Sequence, residues 1–401
     1  MSKEQKIRDI QHFGEEGGVV PVIDHAATST FLNPNDMQKV FEGKIQGCYL
    51  YSRHTNPSVT AFAQKLAAME GSESAIGLAS GMAAISCSIF QNVKCGDHLI
   101  SSNTIYGGTW ALFKNILPKL GVEITFVNPT NLDEFKRAIK KNTKLIYAET
   151  MSNPLLGICD INSISKIAKE NSIKLCIDNT FTPLLVSPIE LGADIVVYSC
   201  TKYISGQSDL IAGAICGTTE FINELIDVNH GAAMLMGPVM DANVAYSLYS
   251  RLDTLAIRMR AHSDAAESLV NRMIEERIEG IIYPGLKEFP QNQLFNKIRN
   301  ASYGHGGMIT LDCDSLEFAT TLAQKLQDAK FGLFAVSLGF SRTLLSCPSA
   351  STSSEIPKSE QEKIGLKNGL LRISVGFCGD KNILADRFIN CYKMTKEKID
   401  N

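Results

Sequence analysis

A lysine that directly follows an apolar run is the first residue whose position could support chemistry. Lys202 lies in the segment DIVVYSCTKYISG, next to the hydroxyl residues Ser199 and Thr201. A partly buried lysine can lose its proton and attack a carbonyl carbon to form a Schiff base, while nearby hydroxyls can hold a phosphate. A lysine at a strand end can equally point into water, so this segment alone leaves both interpretations open.

A second ionisable residue, Asp178, ends the apolar run KLCID. A carboxylate behind a pyridine nitrogen keeps that nitrogen protonated and lets the ring accept electrons, which is the usual protein contribution to pyridoxal phosphate chemistry. An aspartate before Asn179 is also a common turn residue. Taken with Lys202, however, Asp178 weakens the interpretation of that lysine as a solvated side chain.

Two further segments could bind a ligand that has both an aromatic ring and a phosphate group. Ser80, Gly81 and Met82 in GLASGMAAI open an apolar helix, where free N–H groups and the helix dipole suit a phosphate. A simple N-cap is the alternative for this segment. Tyr106, in SSNTIYGGTW, could stack on an aromatic ring or merely pack.

Apolar runs alternate with helical patterns between about residues 70 and 219. The runs are apolar on both faces, as strands of a sheet covered on both sides must be. Strand, helix and strand repeated this often predict a mainly parallel, doubly wound α/β sheet. The predicted strands are 98–102, 122–127, 144–149, 174–178, 194–199 and 210–216, and the predicted helices between them are 109–117, 131–140 and 162–169.

Polar side chains stand at the carboxyl ends of three of these strands. Glu149 ends one, Asp178 ends the next, and Ser199, Thr201 and Lys202 end or follow the third. Ligands of such sheets bind outside the carboxyl ends of the strands. An edge that is merely solvated needs no particular residue type, so solvation alone does not explain ionisable and hydroxyl residues at three strand ends. We therefore predict the functional site at this edge. The chain has no Gly-x-Gly-x-x-Gly fingerprint, which argues against a nicotinamide oxidoreductase.

The rest of the chain predicts an arm, a spine and a second domain. Residues 1–60 have little periodicity and many turn formers, which indicates an extended arm. A long helical pattern over residues 240–276 predicts a spine, and mixed strand and helix patterns follow it. We therefore divide the chain into an arm (1–60), a large domain (61–255) and a small α+β domain (256–401).

The composition is that of an ordinary soluble globular chain, with 401 residues, 44% hydrophobic and 20% charged. A net charge of -3 gives no field that favours nucleic acid or an acidic membrane. The start of the chain lacks a signal-peptide pattern, and no stretch approaches the roughly 18 apolar residues of a membrane span. Scattered cysteines without a Cys-x-x-Cys pair, and widely separated histidines, predict a reducing cytoplasm and no metal site.

Eight segments of the chain match one known family in the same order. They are YSRHTNPSV, GLASGMAA, IYGGT, AETMSNP, IDNTF, SCTKYISG, VSLG and LRISVG, between residues 51 and 376. The series resembles the pyridoxal-phosphate enzymes of cysteine and methionine metabolism, such as the cystathionine and methionine lyases and homocysteine-forming sulfhydrylases. The resemblance implies the aspartate-aminotransferase-like fold (fold type I), with a mainly parallel large domain and a smaller C-terminal domain. It also implies a homotetramer of two tight dimers.

The resemblance also implies a role for each candidate residue. Lys202 is expected to be the Schiff-base lysine and the acid/base that moves protons, and Asp178 to pair with the pyridine nitrogen. Tyr106 is expected to stack on the ring and help to protonate the leaving sulfur. The expected cofactor-binding residues are Gly81, Met82, Ser199 and Thr201, with Tyr51 and Arg53 from the neighbouring subunit, and the expected substrate-binding residues are Asn153, Arg372 and Ser337.

The implied reaction is γ-elimination on methionine or cystathionine, giving an α-keto acid, ammonia and a thiol. The alternative is γ-replacement, as in a cystathionine γ-synthase or an O-acyl-homoserine sulfhydrylase. Gly108 stands where methionine γ-lyases often carry cysteine, which counts against methionine, while a missing insertion counts against a sulfhydrylase. Arg342, where the family commonly has an acid, could pair with a distal substrate carboxylate or point to solvent.

Overall fold

The computed structural model describes residues 1–10, 18–41, 44–45, 47–351 and 357–400. The expected arm and small domain therefore include some residues outside this part. The helices are Lys3–Asp9 (α1), Pro34–Phe41 (α2), Pro57–Glu70 (α3), Gly81–Asn92 (α4), Gly107–Ala111 (α5), Leu132–Ala138 (α6), Ile161–Glu170 (α7), Thr219–Leu225 (α8), Ala232–Met236 (α9), Ala242–Glu275 (α10), Asn292–Ile298 (α11), Leu316–Asp328 (α12), Lys358–Lys363 (α13) and Lys381–Asp400 (α14). The strands are Ser74–Leu78 (β1), His98–Ser102 (β2), Glu123–Val127 (β3), Thr143–Glu149 (β4), Lys174–Asp178 (β5), Ile195–Tyr198 (β6), Gly213–Gly217 (β7), Ile281–Ile282 (β8), Met308–Asp312 (β9), Leu333–Phe334 (β10), Leu344–Ser346 (β11) and Leu370–Ser374 (β12).

The larger sheet has seven strands within the described residues, in the order β1-β7-β6-β5-β4-β2-β3. Strands β2 to β6 pair in parallel with one another, whereas β7 runs antiparallel to both β1 and β6. The predicted mainly parallel sheet is confirmed. In the pairing of β4 with β5, the last residues of the two strands, Glu149 and Asp178, stand opposite each other.

The apolar character of both strand faces has a direct structural cause. Successive side chains of a strand point to opposite faces of the sheet, so Leu145 and Tyr147 enter one core while Ile146 and Ala148 enter the other. Helices α3, α7 and α10 cover one face, and α4, α8 and α9 cover the other. Each fully buried leucine or isoleucine stabilises the fold by about 1.5–3 kcal/mol. The sheet edge, not its faces, is therefore left for chemistry.

The smaller sheet has the order β10-β11-β12-β9-β8 and its own core, shared with α12 and α14. Helix α10 joins the two halves of the molecule. It is capped at its start by Asp241, whose carboxylate accepts hydrogen bonds from the N–H groups of Asn243 and Val244. Its first half packs in the core of the larger sheet and its second half packs under the smaller one. The expected domain boundary at residues 255/256 falls inside this helix.

Some elements differ from the sequence-based expectation. The helix predicted over residues 109–117 is split into α5, a π-helical turn at Leu112–Ile116 and a 3-10 turn at Leu117–Leu120. Pro118 has no N–H and so cannot continue an α-helix there. Strand β1, with the sequence SAIGL, is an additional strand that the sequence-based expectation does not include. Two short helices, α1 and α2, lie within the stretch expected to be an extended arm.

Candidate active site

A cavity of about 320 Å³ lies at the carboxyl ends of β4, β5 and β6, beside the start of α4. The larger sheet supplies most of its wall, and Ser337, Leu338 and Arg372 close it from the side of the smaller sheet. The structure thus brings together residues that are hundreds of positions apart in sequence. The predicted site residues that line it are Gly81, Met82, Tyr106, Asn153, Asp178, Ser199, Thr201, Lys202, Ser337 and Arg372.

Lys202 follows β6 on a tight turn that points its amine into the cavity. Its Nζ donates a hydrogen bond to Ser337 Oγ at 2.8 Å. Burial, and then the positive charge of Arg372, lower the pKa of the Lys202 amine to about 8. Ser337 has a φ of 107°, an uncommon backbone conformation for a residue with a side chain and one often found at functional sites. An amine that is partly neutral near physiological pH is suited to attack a carbonyl carbon.

Asp178 lies buried at the end of β5. Its Oδ1 accepts a hydrogen bond from the N–H of Thr180 at 2.9 Å, and Oδ2 accepts one from the Tyr147 hydroxyl at 3.3 Å. Burial raises the pKa of the Asp178 carboxyl, because the charged form loses its hydration. A carboxylate in this position is poised for a cationic partner in the cavity.

The first turn of α4 forms a cradle beside Ser199. The Ser80 hydroxyl accepts the N–H of Ala83 at 3.1 Å, which leaves the earlier N–H groups, those of Gly81 and Met82, without a partner inside the helix. A Cβ at Gly81 would lie 2.7 Å from Ser199 Cβ, so only glycine permits this close approach. The Thr201 hydroxyl donates a hydrogen bond to the carbonyl oxygen of Ala212 at 3.2 Å. The cradle has the donors and the space that an anion requires.

Tyr106 stands at the start of α5 with its ring partly exposed in the cavity. Its N–H donates to Glu149 Oε1 at 2.7 Å. A Cβ at position 108 would come within 2.6 Å of Cε1 of the Tyr106 ring, so Gly108 allows the ring its observed place. A larger residue there would require the ring to move.

Arg372 reaches the cavity from β12 of the smaller sheet. It is buried, and burial lowers the pKa of its guanidinium to about 10. One nitrogen, Nη1, donates to Asn153 Oδ1 at 2.9 Å, and Nη2 donates to the Ser337 carbonyl at 3.1 Å. A planar guanidinium held from both sides is oriented to bind a carboxylate with two parallel hydrogen bonds.

Tyr51 and Arg53 are predicted site residues that the single chain does not bring into the cavity. Arg53 Nη1 donates to the carbonyl of Met234 at 2.9 Å, and its guanidinium lies 5.6 Å from the centre of the Tyr51 ring. Arg342 is exposed and is not part of the cavity wall. The position of Arg342 therefore favours the solvent alternative in the isolated chain.

Glu149 is the main site residue whose role the sequence did not reveal. Sequence reasoning placed it at a strand end, and the structure shows it buried in the cavity wall with hydrogen bonds to two backbone N–H groups. Other lining residues that were not predicted are Ile85, Met151, Thr180, Phe181, Ile211, Val336 and Leu338. Most of them are apolar, and their signal in the sequence is weak because apolar residues are common throughout strands and helices.

Comparison with known proteins places this site in a family. The sequence profile of the Cys/Met metabolism PLP-dependent enzymes matches residues 5–387. The chain belongs to this family. A methionine gamma-lyase of Arabidopsis thaliana is 42% identical over 93% of this chain and 86% of its own length. A cystathionine beta-lyase of Bacillus subtilis is 37% identical over 90% of this chain and 89% of its own length.

Solved structures agree with this assignment. A structure from Campylobacter jejuni, described as an O-acetylhomoserine (thiol)-lyase, superposes with a TM-score of 0.90 at 28% identity, covering 98% of this chain and 100% of its own. That structure carries N'-pyridoxyl-lysine-5'-monophosphate. The predictions of the family, of the fold type I architecture, of a PLP-dependent carbon-sulfur lyase and of pyridoxal 5'-phosphate as cofactor are confirmed.

The residues of this family member fit the cofactor. The α4 cradle, where a Cβ at Gly81 would take up space, suits the phosphate, and the Lys202 amine suits the aldehyde. Asp178 supplies a buried carboxylate for the pyridine nitrogen. Among the described residues, no group of three or more His, Cys, Asp or Glu is placed to hold a metal ion. None of the helices in that part of the chain could cross a membrane.

The lowered pKa of Lys202 predicts how cofactor uptake by the apoprotein depends on pH. Only the neutral amine attacks the aldehyde, so the uptake rate is expected to rise about tenfold per pH unit below 8 and to level off above it. The measurement is the growth of the yellow colour between pH 7 and 10, followed by borohydride reduction and peptide mapping to Lys202. A rate that still climbs tenfold per unit above pH 9 would show an ordinary, solvated lysine.

Proposed function

We propose that the protein catalyses γ-elimination on methionine, giving a four-carbon α-keto acid, ammonia and methanethiol, with one water consumed. The observation that carries this choice is the apolar mouth of the cavity. Ile211 and Val336 are exposed there, at 69% and 64% of their full accessible surface, and Met82 and Leu338 continue the apolar wall. Such a wall suits a short, uncharged thioether end.

The charges in the cavity support the same choice. Among the described lining residues, the cationic side chains are Lys202 and Arg372. Both are needed at the amino acid end of the substrate, one for the reacting amine and the other for the α-carboxylate. The distal amino acid group of cystathionine would find no further cation in this wall. Methionine is therefore the better match, although Gly108 differs from the cysteine common in methionine γ-lyases.

Each catalytic step uses a residue of the cavity. Pyridoxal phosphate supplies the electron sink that makes the α-proton acidic. Lys202 removes that proton and then a second one from Cβ, so that the sulfur on Cγ can leave, and its pKa of about 8 permits it to accept protons. Tyr106 protonates the departing sulfur, and Arg372 with Asn153 holds the carboxylate. Asp178 keeps a negative charge behind the ring nitrogen.

The assembly and the site of action are part of the proposal. Tyr51 and Arg53, which lie outside the cavity of their own chain, are assigned to the phosphate of a neighbouring subunit. The protein then works as a homotetramer of two tight dimers, with an arm at residues 1–60, a cofactor-binding domain at 61–255 and a small domain at 256–401. We place it in the cytoplasm.

The test of the proposed reaction is the release of keto acid and ammonia from methionine with no thiol added. We expect turnover on methionine, with a kcat/KM above that on cystathionine. Turnover only when an O-acyl-homoserine and a thiol are both supplied would instead identify a γ-replacement enzyme. A clear preference for cystathionine would keep the lyase reaction and overturn the choice of methionine.

Arg372→Lys tests the assignment of the carboxylate-binding residue. Lysine keeps the positive charge but offers no planar fork, so we expect KM for the amino acid to rise about 100-fold with a smaller change in kcat. Steady-state kinetics on methionine measures both values. A lysine variant with an unchanged KM would place the carboxylate elsewhere. The exposed Arg342, changed to lysine in the same way, is the matched control and is expected to keep the original KM.

A further inference from the structure

Glu149 is a buried carboxylate with no role in the reaction described above. It ends β4 and stands opposite Asp178 in the strand pairing. Its burial, and next the neighbouring charge of Asp178, raise the pKa of its carboxyl well above the usual value. Two neighbouring buried carboxyl groups repel each other when both are charged. The fold therefore retains Glu149 beside Asp178 despite an electrostatic cost.

The contacts of Glu149 show what it holds. Oε1 accepts the N–H of Tyr106 at 2.7 Å, and Oε2 accepts the N–H of Asn153 at 3.2 Å. Tyr106 begins α5 on one side of the cavity, and Asn153 receives the hydrogen bond of Arg372 on the other. One carboxyl group therefore links the aromatic wall to the carboxylate-binding pair.

We propose that Glu149 is a positioning residue that sets Tyr106 and Asn153 in register with each other across the active site. It acts through these two backbone N–H groups and not by contact with the reacting atoms. The two oxygens of a carboxyl group can both accept, which is the property that this position requires. The consequence for catalysis rests on the proposed function, whereas the two hydrogen bonds do not.

The test is the variant Glu149→Gln, which keeps the size but has only one accepting oxygen. Its amide nitrogen must face one of the two N–H groups, so that contact is lost. In the apoprotein we expect deuterium uptake about tenfold faster in the peptide around Tyr106 or the peptide around Asn153, measured by mass spectrometry. Because this readout needs neither substrate nor cofactor, it stands even if methionine is not the substrate.

Steady-state kinetics of Glu149→Gln distinguishes loss of the Asn153 hydrogen bond from loss of the Tyr106 hydrogen bond. Loss of the Asn153 contact is expected to raise KM about tenfold, whereas loss of the Tyr106 contact is expected to lower kcat by a similar factor. Glu149→Asp, which keeps both carboxyl oxygens but is shorter by one methylene, is expected to lose one of the two contacts as well. This second variant keeps the test available if the glutamine variant does not fold.

Glu70→Gln is the matched control. Glu70 is also fully buried and also accepts a backbone N–H, that of Ile189 at 3.2 Å, but it does not line the cavity. We expect its variant to leave uptake at Tyr106 and Asn153, and KM, at the original values. Unchanged uptake and kinetics in Glu149→Gln, or equal changes in both glutamine variants, would overturn the proposal.

Discussion

Replacing Lys202 by alanine is expected to lower turnover by on the order of 10⁴-fold while the protein still binds pyridoxal phosphate noncovalently. The amine is the only lysine nitrogen in the described wall of the cavity, and its pKa of about 8 makes it available as a base. Among the lining residues that the structure describes, no other side chain is an amine. The measurement is keto acid release from methionine, together with borohydride reduction followed by peptide mapping.

Lys202→Arg is the control for charge. Arginine keeps a cation next to Ser337 but stays protonated, so it can neither attack the aldehyde nor accept a proton. We expect it to be as inactive as the alanine variant, and neither variant to be labelled at position 202. Full activity of the alanine variant would overturn the assignment of Lys202.

Asp178→Asn is expected to lower kcat about 10²- to 10³-fold with little loss of stability. Asparagine has nearly the same shape, and its oxygen can still accept the N–H of Thr180. What it removes is the negative charge behind the ring nitrogen, so the ring withdraws electrons less effectively. Stopped-flow rates of α-proton removal and the visible spectrum of the bound cofactor measure the effect.

Asp194→Asn provides the matched comparison. Asp194 precedes β6 at the opposite end of the sheet, where its Oδ2 accepts the N–H of Leu175 at 2.7 Å. The same chemical change there is expected to leave kcat near its original value. Equal losses in the two variants would indicate general damage to the sheet, and an unaffected Asp178→Asn enzyme would contradict a role in activating the cofactor.

The sequence predicts the site where local pattern and topology are sufficient. Strand β5 was predicted with its observed ends because apolar residues occupy both faces of the run that finishes at Asp178. Parallel strands then bring their carboxyl ends to one edge, so Glu149, Asp178 and the segment holding Lys202 had to meet.

Contacts between distant parts of the chain could not be predicted in this way. Arg372 and Asn153 are 219 positions apart, and they meet only because the smaller sheet folds back over the larger one. Resemblance to the family, and not periodicity, named these two residues. The second contact of Glu149, with Tyr106 at a separation of 43 positions, depends on where the chain turns after β2. Short-range patterns carry no information on such a turn.

The two halves of the molecule both supply residues to one cavity. Lys202 and Asp178 come from the larger sheet, whereas Arg372, Ser337 and the exposed Val336 come from the smaller half. Under the proposed roles, a substitution at Val336 can therefore alter which amino acid side chain fits while Lys202 and Asp178 stay in place. Since Val336 lies at the mouth and not beside the proposed catalytic groups, new specificities can evolve there without rebuilding the catalytic centre.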